Sequence, residues 1–182
     1  MSIDARYRTF WRRFWAGTVD WLLFLPVVAI DELVWRSATG LIAGVWLIVS
    51  QFAFVAYSIV LHGLFGRTLG KMLLRVKVID VSEQRPIAFW QALLRDSPVV
   101  VFTAAFTLLL LPAVLRGDHP YEAPDWGTAG CVIAAANGLW FFLEFSTMLF
   151  SQRRRAAHDL LAKTVVVREG LTRNHPPLES AA

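Results

Sequence analysis

The chain alternates long apolar runs with short charged stretches, and the runs are long enough to cross a bilayer. A membrane's hydrocarbon core takes about 20 apolar residues as a helix. Residues 41–61 (LIAGVWLIVSQFAFVAYSIVL) and 97–115 (SPVVVFTAAFTLLLLPAVL) carry no charge, and Pro98 stands where a helix-starting proline is tolerated. Residues 126–150 are interrupted only by Glu144, and residues 14–30 only by Asp20. The pattern predicts an all-α membrane protein with four transmembrane helices, at about 14–30, 41–61, 97–115 and 126–150. An Arg-rich start before the first run also suits a cleaved signal peptide. Asp20 within the run, and no small-x-small site soon after it, argue against cleavage.

The segment from His62 to Asp96 has a pattern of its own. Gly63, Gly66 and Gly70 mark a turn-rich stretch, and Arg75 to Val81 then alternates polar and apolar residues, as a half-buried strand does. Pro86 opens IAFWQALLRD, where Ile87, Trp90 and Leu94 recur at spacings of three and four. This predicts a short interfacial amphipathic helix, anchored by Phe89 and Trp90, before the chain turns inward at Ser97. Thr164 to Arg168 (TVVVR) is a second β-favouring run. It is expected to pair with the strand near Val76–Val81 as a short cytoplasmic β-hairpin-like element that ties the tail to the middle segment. Residues 169–182 read as a flexible tail, which leaves 6–168 as a single domain. No internal repeat can be aligned.

Composition sharpens the picture. The chain is 56% hydrophobic and 18% charged, against about 45–50% and about 25% for soluble domains. That excludes a disordered chain, and the lone Cys131 excludes a disulfide scaffold. Charge then sets orientation. Of the 18 Lys and Arg residues, 16 lie in the N-terminal segment, the 62–96 segment and the tail; the other two connections hold only Arg36 and Arg116. Positive segments stay inside, so both termini are expected in the cytoplasm of a multi-pass protein of the inner (plasma) membrane. Basic residues that flank spans suit a bilayer with anionic headgroups as partner. No nucleic-acid partner is expected, since that would call for a basic stripe on a folded domain.

Two carboxylates are the candidate chemistry. A charge at mid-span costs about 2.5–3.5 kcal/mol on insertion scales and marks function by default. Asp20 lies about 10 Å along the helix from Arg13, so it needs a partner on another helix, or a proton. Glu144 lies about 13 Å in from Arg153. The first and fourth spans run in opposite directions, which brings the two acids to similar depth. Asn137, on the face of Glu144, and mid-membrane Gln51 would complete a polar pocket open to the cytoplasm that binds an ion or ligand. The same residues would serve equally as interhelical hydrogen-bonding groups. Gly130, Ala134 and Gly138, like Gly40 and Gly44, allow close helix approach, within one bundle or in a homo-oligomer. GRTLGK (66–71) has three residues between its glycines and Met72 after the lysine, which is not a phosphate loop; Arg67 and Lys71 are expected against lipid phosphates. His62, His119, His158 and His175 lack metal-type spacing, and His158 and Asp159, adjacent on a helix, would not face one another. No metal, cofactor or enzymatic activity is expected.

Three stretches carry a family resemblance: RRFWAGTVDWLLF (12–24), GRTLGKMLLRVKVID (66–80) and RRRAAHDLLAKTVVV (153–167). In this order they resemble the RDD family of bacterial integral membrane proteins, named for one arginine and two aspartates. The resemblance covers 6–168 and places the motif on Arg13, Asp20 and Asp159. The family usually has Gln or a similar residue where Arg67 stands, and often Gly near Arg75. With Arg13 and Asp159 both at the cytoplasmic boundary, a cross-helix pair would hold the tail against the first span. The family's proposed activity is transport of an unidentified ligand. The leading expectation is a small transporter of an ion or small ligand with Asp20 and Glu144 at its site, which with four spans would need a homo-oligomer. The alternative is a non-transporting scaffold or accessory subunit that binds another membrane protein.

Overall fold

The computed structural model describes residues 4–120 and 127–171. His175, Trp126 and the expected tail beyond 171 lie outside the described residues. A 3-10 turn at Ala5–Tyr7 leads into α1 (Phe10–Leu23) and α2 (Leu25–Ser37); α3 (Gly40–Phe65) and the short α4 (Leu69–Leu73) lead to β1 (Val76–Asp80). Then come α5 (Phe89–Arg116), α6 (Gly127–Phe150), the short α7 (Ala157–Leu161) and β2 (Thr164–Arg168).

Among the described residues three helices, α3, α5 and α6, are long and apolar enough to cross a membrane. The expected first span is instead broken at Phe24, between α1 and α2. Pro26 is the cause. It has no N–H for the carbonyl of Leu22, and its ring crowds that carbonyl, so it is accommodated only in the first turn of a new helix. The expected interfacial helix is also not separate. Its residues form the first turns of α5, which runs unbroken through Pro98. Pro98 leaves the carbonyl of Leu94 without a backbone donor, and Ser97 Oγ supplies one at 2.8 Å. Phe89 and Trp90 remain exposed, as an anchor in the headgroup region requires.

α3 and α5 form the antiparallel spine. At one end Ala43 and Leu47 pack with Leu110 and Val114. Gly44 lies so close to α5 that a Cβ there would be 2.9 Å from Leu115. At the other end a Cβ on Gly63 would enter the Phe89 ring. α6 is docked lightly, with only Gly130 and Met148 buried. The expected small-residue face is therefore mostly unused within the chain, since Ala134 is exposed and Gly138 has open space beside it.

β1 and β2 pair antiparallel with Val78 opposite Val166, and Val76 opposite Arg168, as the two β-favouring runs predict. They come from segments far apart in sequence, so this is not a hairpin. Their register exposes a repeat that residue identities hide. Each strand follows a transmembrane helix, a turn, a five-residue helix and one left-handed residue, Arg75 (φ 54°) or Lys163 (φ 52°). The two short helix–strand units face each other about the Val78–Val166 pair. One sheet face packs Val76, Val78 and Val166 on Ile87 and Ala92; the other packs Val165 and Val167 on Tyr7. Gln91 joins the units, donating to Asp80 Oδ2 at 2.8 Å and to the carbonyl of Ala162 at 3.1 Å. The N-terminal turn closes on the same end, with Arg6 and Arg153 at 3.3 and 3.6 Å from Glu83.

Candidate functional site

Asp159 is the hub. It sits in the first turn of α7, fully buried, and accepts the N–H of Ala156 at 3.0 Å. Arg13 from α1 reaches Oδ2 at 2.7 Å and Arg95 from α5 reaches Oδ1 at 2.5 Å. Burial works against its charge, but Arg13 and then Arg95 prevail and hold the carboxyl well below the usual carboxylate range. The expected Arg13–Asp159 pair is present, and Arg95 makes it a triad. One acid thus pins the tail to the first helix and to the spine.

A second acid shares this cluster. Glu144 on α6 accepts the backbone N–H of His158 at 3.2 Å and contacts its Nδ1 directly. His158 Nε2 faces Arg95 at 2.6 Å and Arg13 at 3.2 Å. A guanidinium can only donate, so Nε2 carries the lone pair and Nδ1 carries the proton that goes to Glu144. Burial, then Arg95, lowers the His158 pKa, which keeps the imidazole neutral. His158 does approach Asp159, at 3.5 Å. Adjacency along the chain concealed this, because α7 is only five residues long and folds back onto α5 and α6.

The sequence named Lys71 and His62 of the third group without bringing them together. Lys71 Nζ donates to His62 Nε2 at 2.6 Å; Ser58 Oγ lies 3.2 Å from His62 Nδ1 and donates to Asp96 at 2.7 Å. Burial, then Arg95 and Arg13, lowers the Lys71 pKa. Lys71 therefore turns inward rather than toward lipid phosphates, and Arg67 is taken by Glu169. The adjacent Arg95-Asp96 pair was the available signal: opposite charges just before an apolar run, read as the end of the interfacial helix.

Asp20 lies elsewhere. It is buried on α1 and receives Tyr57 Oη at 2.7 Å, Thr68 Oγ1, and the N–H of Gly70 at 2.7 Å. It explains GRTLGK: Thr68 caps α4 while bonding Asp20, and Gly70 must be glycine because a Cβ would lie 2.1 Å from the carbonyl oxygen of Ala16. The expected pocket containing both Asp20 and Glu144 is not formed.

Glu144 heads a different space, a cavity of about 970 Å³ between α1, α3, α5 and α6. Asn137 and Gln51 line it, as expected, with Arg13 and His158 at the polar end; most of the remaining wall is aromatic, including Phe14, Trp21, Phe54, Phe106 and Trp140. Asp20 does not line it.

The RDD family model matches residues 7–163, a span that includes Arg13, Asp20 and Asp159. The chain belongs to the RDD family. It is 25% identical over 129 residues to the uncharacterized membrane protein YteJ of Bacillus subtilis (strain 168), an alignment covering 64% of this chain and 77% of that protein. No solved structure matches. In this RDD protein Arg13 and Asp159 form a buried pair, and Asp20 holds the turn after α3.

Proposed function

We propose that this RDD protein is a multi-pass protein of the inner (plasma) membrane, with both termini cytoplasmic, that binds and transports an ion or small ligand in the cavity headed by Glu144. One observation carries the reading: Glu144 is a carboxylate only partly covered, with 17% of its side chain exposed, at the polar end of a large apolar space within the helices. A carboxylate there is costly unless it is used. His158 fixes its orientation, and the Arg13–Asp159–Arg95 triad fixes His158. Asn137 and Gln51 line the same space. Asp20, with three donors already on its two oxygens, acts as an anchor between α1 and α4.

Flux of H⁺, Na⁺ and K⁺ into proteoliposomes tests the proposal. Glu144→Gln abolishes flux and Asp20→Asn, per folded molecule, retains it; full flux in a folded Glu144→Gln variant overturns the reading. The open face of α6 at Ala134 and Gly138 favours a second reading, a scaffold or accessory subunit that docks a second copy or another membrane protein there. A stable partner crosslinked to Gly138→Cys, with no flux of any ion, would support it.

A further inference from the structure

The cavity has room for far more than a bare ion. Its volume of about 970 Å³ is near the upper end of the roughly 300–1,000 Å³ typical of sites for drug-sized ligands. Phe and Trp rings are the largest class of residue in its wall, with Phe14, Trp21, Phe54, Phe106 and Trp140 among them. Aromatic faces attract cations, most strongly where water is excluded. The charged groups at its polar end are unequal. Arg13 is committed: Nη1 goes to Asp159 and to the carbonyl of Arg154 at 3.0 Å, and Nη2 to His158. Glu144 receives both its bonds from His158. Each carboxylate oxygen can accept again, so Glu144 retains acceptor capacity toward the cavity. An anion would meet that carboxylate and a guanidinium whose Nη1 and Nη2 groups are already engaged.

We infer that the ligand class of this cavity is a hydrophobic organic cation, a quaternary ammonium or phosphonium ion with aromatic or alkyl groups, paired with Glu144 and seated among the rings. The inference rests on the proposal that the cavity is the ligand site.

Tetraphenylphosphonium and tetraphenylborate, alike in shape and opposite in charge, separate the alternatives by equilibrium dialysis against the detergent-purified full chain. The expected result is saturable binding of the phosphonium only. Glu144→Gln weakens it about tenfold, equivalent to about 1.4 kcal/mol, while Glu144→Asp stays close to wild type. Asn137→Asp, which adds a carboxylate to the same wall and leaves His158 untouched, tightens binding and keeps the test valid if Glu144→Gln does not fold. Equal binding of both ions would indicate an apolar crevice of the kind a lipid tail fills, and would overturn the inference. So would phosphonium binding indifferent to both Glu144→Gln and Asn137→Asp. Glu144-dependent Na⁺ or K⁺ flux without phosphonium binding refutes the ligand class alone. Phosphonium binding without flux of any ion, the phosphonium included, refutes transport alone.

Discussion

Asp159 holds two guanidiniums out of water. Replacing it with Asn deprives the buried Arg13 and Arg95 of the carboxylate they share, and breaking a buried pair in this way costs about 3–5 kcal/mol. Thermal melting in detergent should show the loss directly. Its pH dependence carries a sign. The folded carboxyl lies below its ordinary value of 3.8, so its stabilisation is fully present above that value and is lost as pH falls through it toward the folded one. Between pH 6 and pH 3 the wild type should therefore lose melting temperature more steeply than Asp159→Asn. At this scale the sequence displayed Asp20, Asn137 and Glu144, because an acid or amide among apolar neighbours is conspicuous, whereas Arg13 and Asp159 came from the family resemblance. It named His158 and Lys71 without the cluster they join, and it gave Arg95 no role beyond its positive charge. Each stands near other charges at the end of an apolar run, where a solvated loop and a buried cluster look alike.

Between elements, the closest approach is α4 against α1. Gly70→Ala would drive a methyl into the carbonyl of Ala16, and the resulting strain is about 1–3 kcal/mol. Asp20→Asn exchanges an acceptor of three donors for a group with one acceptor oxygen, a loss of about 1–3 kcal/mol for the donors left unpaired. Both variants should melt early, and the double variant should lose less than the sum, since the two act on one contact. The first strand was legible from period-two alternation and the second from its β-favouring run, and the expected pairing of the two is present. The break at Phe24 was written in Pro26, but an apolar run reads as continuous when only hydropathy is followed. The interfacial helix was misplaced for the converse reason. Pro98 reads as a helix start, but the helix passes through it, with the hydroxyl of Ser97 donating to the carbonyl of Leu94. The repeat of short helix, left-handed residue and strand is carried by backbone geometry, with few shared side chains to reveal it.

For the whole molecule, the N-terminal turn, the middle segment and the chain after α6 meet at one end, around the sheet and the ion cluster. The sequence grouped the same three segments by charge alone. Under limited proteolysis in detergent, β1 and β2 should be protected together, and Val166→Asp at the centre of the sheet should expose both. The most direct measurement of the central claim, that Asn137 and Glu144 line a space a cationic ligand can enter, is cysteine accessibility in membranes. In a Cys131→Ser background, Asn137→Cys should react with a cationic methanethiosulfonate, and tetraphenylphosphonium should slow that reaction, while Leu139→Cys on the exposed side of α6 shows no such protection. An inert Asn137→Cys, or one that reacts at the rate of Leu139→Cys with no protection, would contradict the account.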